Sequence, residues 1–304
     1  MTTSLDAARL SDVLVTSALA VFSLALIVFA LAAAVSRSRT VVGAEVSGAG
    51  LVLPSPGDGV RLRPEASRGS VRLSRGGAAV MVLGTILVCL AVVARGVAAG
   101  RAPWGNMYEF GLTGSAAVAV AFLVYTRGRP VGGLSPWTVA LVLVLLGVSV
   151  TSLYTPVDDL VPVLNSRWLV VHVAAAITAG ALFTVGALAT VAHLVRQRRG
   201  GDVDDHFSEL AHTVHLVAFP IWTFAVIAGA VWAENAWGRY WGWDPKETWA
   251  FITWVFYAAH LHALSTVGWR RRAGLLAIAG FLAFLFNFFG VNLWIPGLHS
   301  YAGV

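Results

Sequence analysis

The sequence predicts an all-α polytopic integral membrane protein with about eight transmembrane helices and both termini on the outer side. Three observations carry this expectation. The chain is 58% hydrophobic and 12% charged, whereas soluble domains run about 45–50% apolar and about 25% charged. Stretches 13–36, 76–94, 110–126, 130–157, 168–195, 210–233, 248–269 and 273–304 contain no Asp, Glu, Lys or Arg. A spanning helix needs roughly 20 mostly apolar residues. The third observation is the uneven distribution of arginine between alternate connections, developed below. Runs such as VALVLVLLGVSV are continuously apolar, which excludes barrel strands that alternate over roughly 10 residues.

The elements follow in order. Residues 12–35 read as a first transmembrane helix rather than a cleaved signal, because the apolar run is long and no basic pair precedes it. Residues 36–76 are rich in Gly, Ser, Pro and Arg with little hydrophobic period, and read as a basic cytoplasmic loop. Each Arg there is worth roughly 1 kcal/mol against an anionic lipid surface. Helices follow at roughly 77–98, 107–126, 136–153, 168–195, 214–233, 247–267 and 273–294, so 77–304 forms one transmembrane core with an external loop at 232–247. Cys89, the single cysteine, permits neither an internal disulfide nor a CxxC redox pair, and reads as a packing thiol.

Of the 21 basic residues, fifteen fall on odd-numbered connections: Arg37, Arg39, Arg61, Arg63, Arg68, Arg72, Arg75, Arg127, Arg129, Arg196, Arg198, Arg199, Arg270, Arg271 and Arg272. Cytoplasmic loops carry the Lys/Arg excess, which places both ends outside. The net charge of +6 is therefore a topology and lipid-surface signal. No aromatic-interleaved basic motif supports nucleic acid as a partner.

Six of twelve tryptophans lie between 232 and 254: Trp232, Trp237, Trp241, Trp243, Trp249 and Trp254. An interfacial belt places Trp and Tyr at helix ends and accounts for Trp104, Trp137, Trp168 and Trp294. It does not account for WGRYWGWD, with Tyr240 among its four aromatics. That segment offers a flat platform suited to a large planar apolar ligand with a charged edge. Asp244-Pro245-Lys246-Glu247 has the spacing of a capping box with Pro at the first helical position. The structural role is the stronger reading for Asp244 and Glu247, and Asn106 and Glu109 repeat the spacing.

The eight histidines include no Cys/His cluster at zinc spacing. His193, His206, His212 and His215 are expected to be solvated or interfacial on the cytoplasmic side. His172 and His299 fall at the outer face with the tryptophans, where they cap or bond backbone, or ligate haem iron as an axial pair. His260 and His262 lie within helix seven, where ionisable groups are costly and seek a cavity or partner. They face different ways, and spacing alone does not decide between them.

WGRYWGWDPKETWAFITWVFYAAHLH resembles the WWD signature of haem-handling proteins, in the form used by the CcsA/ResC family of system II cytochrome c biogenesis. GNMYE, NSRWLVVHV and GVNLWIPGLHSY resemble further segments of that family, so the likeness covers most of 77–304. The resemblance implies that His172 and His299 hold haem iron beneath the loop, and that His262 is a transmembrane haem ligand. Trp237, Tyr240, Trp241, Trp243 and Asp244 resemble the haem-contacting loop. Arg239 and Lys246 have the charge to pair with propionates, with a solvated Arg239 as the alternative. The implied cofactor is haem b. The implied partners are a ResB/CcsB-type membrane protein, which would supply the second transmembrane ligand, and apocytochrome c. The implied function is to present or translocate haem b, or both, for cytochrome c synthase activity in complex with that partner: CxxCH thiols add to the haem vinyl groups outside the cytoplasmic membrane. A haem exporter without ligase activity and a membrane b-type electron-transfer protein are the alternatives.

Overall fold

The computed structural model describes residues 2–45, 68–129, 132–200 and 205–299. It is all-helical, with no strand among the described residues. The main helices are α1 (Thr2–Glu45), α2 (Arg68–Ala99), α3 (Met107–Thr126), α4 (Ser135–Ser152), α5 (Arg167–Arg198), α6 (His206–Trp237), α7 (Pro245–Ser265) and α8 (Arg270–Leu285). A π-helical turn, Phe286–Gly290, joins α8 to the short α9 (Val291–Trp294).

Seven spans are long and apolar enough to cross a membrane among the described residues. Helix α7 is not one of them, because Trp, Tyr and His dilute its hydropathy. Its 21 residues nevertheless rise about 31 Å, close to the roughly 30 Å of a bilayer core, and it packs along α8. The protein is an all-α polytopic membrane protein.

Several helices outrun the charge-free stretches used to bound them. Helix α1 continues to Glu45 and α2 begins at Arg68, so helix enters the predicted loop 36–76 from both sides; residues 46–67 of that loop lie outside the described residues. Arg is a good helix former and continues a helix beyond its apolar zone, which charge-based limits overlook. Helix α6 starts well before 214, because Asp205 caps it by accepting from the Phe207 and Ser208 amides at 3.1 and 2.8 Å.

The helices pair as α1 with α2, α5 with α6 and α7 with α8, while α3 joins α5 to α4. The core runs through Phe22, Met81, Leu112, Phe183 and Tyr257, with Phe183 stacked on Tyr257. One end of the bundle is tied together by polar contacts. Glu109, fully buried, pairs with Arg95 at 3.0 Å and Arg101 at 2.6 Å, and Arg95 also donates to the Thr155 carbonyl. Tyr154 reaches Asp12. Asn106 caps α3 by accepting from the Glu109 amide at 2.9 Å, in the spacing read from the sequence. The WGRYWGWD connection between α6 and α7 closes the same end.

Candidate functional site

Asp244 organises the connection between α6 and α7. Its Oδ2 accepts from the Lys246 amide at 3.2 Å and from His299 Nδ1 at 2.8 Å. Its Oδ1 accepts from the Leu298 amide at 2.7 Å. One buried carboxylate thus starts α7 and ties down the segment that follows α9. Glu247 completes the capping box: its Oε2 accepts from the Gly242 and Asp244 amides at 2.8 and 3.1 Å. Between them Trp243 is held at φ 59°, a left-handed conformation uncommon for a bulky residue. Such strain persists where surrounding contacts over-determine the backbone.

Burial works to raise the Asp244 carboxyl, but hydrogen bonds from His299 and the Leu298 amide outweigh it and hold it at about 2. Burial lowers His299 below the ordinary 6.5, against the pull of Asp244. Asp244 is therefore the anion and His299 a neutral ring donating through Nδ1–H, which leaves the lone pair on Nε2. His172 reaches the same tautomer by another route. Its Nδ1 lies 2.8 Å from the Ala225 carbonyl, which can only accept, so its lone pair is on Nε2 too. Gly229 on α6 makes that approach possible: a Cβ there would sit 2.7 Å from His172 Nδ1.

Trp232 brings the two histidines together. His172 stacks on it with centroids 6.3 Å apart and planes 11° apart; His299 meets it edge-on at 5.6 Å. The indole is buried and donates to the Val163 carbonyl at 3.2 Å. Both imidazoles border a cavity walled also by Tyr240, Trp241, Trp222 and Phe288. Lys246 is the one Lys or Arg among the described lining residues, and its Nζ donates to Asn292 Oδ1. The π-helical turn sets Asn287 and Phe288 in the wall; such turns are frequent at functional sites.

The predicted residues divide into layers. His172, His299, Tyr240, Trp241 and Lys246 line the cavity. Trp237 stands behind them, edge-on to His299 at 5.1 Å. Asp244 lies beneath, holding His299 rather than facing the cavity. Arg239 and Trp243 are exposed, outside the lining. His262 is in the last turn of α7, exposed on the helix surface.

His260 turns the other way and is buried, with Nε2 3.1 Å from His215 Nδ1 and Nδ1 2.8 Å from the Ala273 carbonyl. This corrects the expectation that His215 is solvated or interfacial: it is fully buried. The early start of α6 carries it more than two turns into the helix, and Gly186 of α5 leaves space for its Nε2. His193 is also mostly covered, 3.1 Å from Asp205, whereas His206 and His212 are exposed as expected. Sequence reasoning missed Trp232, Trp222 and Asn287 as parts of the site. Trp232 stood among the six clustered tryptophans; Asn287 was signalled by a lone amide within an apolar run.

The cavity thus combines two imidazoles, each engaged at Nδ1, with aromatic walls and one lysine.

The chain matches the model of the family described as Cytochrome C assembly protein over residues 104–299. It is 33% identical over 261 residues to the cytochrome c biogenesis protein CcsA of Prochlorococcus marinus (strain MIT 9312), covering 73% of this chain and 83% of that one. It is 32% identical over 281 residues to the CcsA of Synechococcus elongatus (strain ATCC 33912 / PCC 7942 / FACHB-805), covering 74% and 86%. The solved structure of cytochrome c heme lyase CcmF superposes with TM-score 0.68 at 19% identity, over 93% of this chain. The chain spans 46% of that protein's length, and at this identity the likeness is one of fold. By sequence match and fold, the chain belongs to the cytochrome c assembly family, as a CcsA-type cytochrome c biogenesis protein.

Proposed function

We propose that the protein presents haem b, as substrate, for covalent attachment to the CxxCH cysteines of apocytochrome c at the outer face of the cytoplasmic membrane. It would act with a ResB/CcsB-type membrane partner. The observation that carries this reading is the pairing of His172 and His299 across Trp232, each with Nδ1 engaged and its lone pair on Nε2. Residues 127 positions apart in sequence border one cavity.

In this reading His172 and His299 would hold the haem iron through Nε2, and ligand type together with burial would set its potential. Trp241 and Tyr240 pack against the ring, and Lys246 pairs with a propionate. Orientation is the protein's contribution, since the reactive vinyl carbons belong to the haem. The exposed His262, in the last turn of α7, is open to a partner helix that would supply a second ligand.

The test is the absorption spectrum of the purified chain with and without the ResB-type protein, followed by addition of a CxxCH peptide. A low-spin haem spectrum and a covalent peptide–haem product in the complex are expected. Haem binding without any covalent product would favour the exporter; haem that stays bound and only cycles redox state would favour electron transfer.

A further inference from the structure

Glu247 does more than cap α7. It is the one carboxylate among the described residues lining the cavity. Its Oε2 is occupied by the Gly242 and Asp244 amides, which fixes the side chain. Its Oε1 is buried and accepts no hydrogen bond in the structure. A buried, unsatisfied carboxylate oxygen is expensive, and in native proteins each one has a reason, such as a bound water, an ion or a catalytic role. A haem bound here brings acceptors at its acidic edge. The other reactant of the proposed chemistry, a cysteine thiol, brings a donor.

We propose that Glu247 Oε1 is the base that accepts the thiol proton when a cysteine adds to a haem vinyl group in this cavity. The proposal rests on the functional reading above. A free thiol, with a pKa of about 8.5, is only a few per cent thiolate at pH 7, so a base at the reacting sulfur has work to do. As sulfur bonds to the vinyl carbon next to the ring, the S–H proton passes to Oε1. The carboxylic acid so formed returns a proton to the terminal vinyl carbon. One S–H bond and one C=C π bond break while one C–S and one C–H bond form; nothing is oxidised or reduced.

The experiment uses the full chain with its ResB-type partner, loaded with haem and given a synthetic CxxCH peptide under reducing conditions. In Glu247→Gln the amide oxygen still accepts at the cap, where Gln serves as well as Glu. Haem content and the low-spin band are expected to match the wild type, while thioether formation slows about 100-fold or more, the usual size of general acid–base catalysis. Glu247→Asp is expected to keep most of the rate, and formate is expected to restore part of it to Glu247→Ala. Thioether formation at the wild-type rate in Glu247→Gln would overturn the proposal. So would a loss of rate that merely parallels a loss of bound haem and ignores formate. A wild-type complex that binds haem but forms no thioether would overturn the functional reading itself, and this role with it.

Discussion

Replacing Asp244 with Asn leaves one acceptor oxygen where the structure uses two. Asn caps helices about as well as Asp, but here the cap and His299 share Oδ2, so not every contact survives the exchange. Asp244 uses both oxygens as acceptors: Oδ1 from the Leu298 amide, Oδ2 from Lys246 and His299. Asn has one oxygen and one NH2. If the oxygen keeps Leu298, the NH2 faces both the Lys246 amide, which loses its cap, and the His299 Nδ1–H, and the ring must switch tautomer, moving its lone pair off Nε2. If the oxygen keeps His299, the Leu298 amide meets a donor and the tail carrying His299 loosens. Either way a buried donor is left unpaired, at about 1–3 kcal/mol, or roughly 5- to 150-fold in haem affinity. The assay is transfer of haem from the purified protein to a competing apoprotein, with thermal unfolding as the control for folding. Wild-type haem retention and an unchanged low-spin spectrum in Asp244→Asn would refute this account of Asp244.

Gly229→Ala should displace His172 from the Ala225 carbonyl and weaken haem retention about 10- to 100-fold, as losses of outer-shell support do; retention at the wild-type level would show that the ring does not depend on that space. Trp241→Ala should cost on the order of 1 kcal/mol of haem binding, whereas Trp243→Ala, outside the cavity, should cost much less. Equal losses in a haem titration would contradict the layered arrangement. Glu109→Ala leaves Arg95 and Arg101 buried together and should cost about 3–5 kcal/mol of stability, read as a fall in the unfolding midpoint in detergent; an unchanged midpoint would deny that the ion cluster ties this end of the bundle.

The fold class was legible because a bilayer imposes its length scale on composition: uninterrupted apolar runs between Arg-marked connections locate the helices whatever their packing. Helix ends were less legible, since Arg68 and Arg198 carry helix past the apolar zone. His172, His299, Trp241 and Lys246 could be placed near one surface by counting crossings. That Asp244 grips His299 instead of lining the cavity could not, because it depends on a tail returning from 54 residues later. The buried His215–His260 pair was hidden for a related reason. Its burial depends on α6 starting at His206 behind the Asp205 cap and on the room left by Gly186, neither of which is a property of the histidines themselves.

In the proposed function His172 and His299 share one haem iron. The most direct measurement is the absorption spectrum of His172→Ala and His299→Ala, each purified with the partner, before and after added imidazole. Loss of the low-spin bis-histidine signature in each variant is expected, with its return and partial recovery of cytochrome c maturation when imidazole fills the vacated position. A His172→Ala protein that keeps the wild-type spectrum and matures cytochrome c without imidazole would contradict the claim.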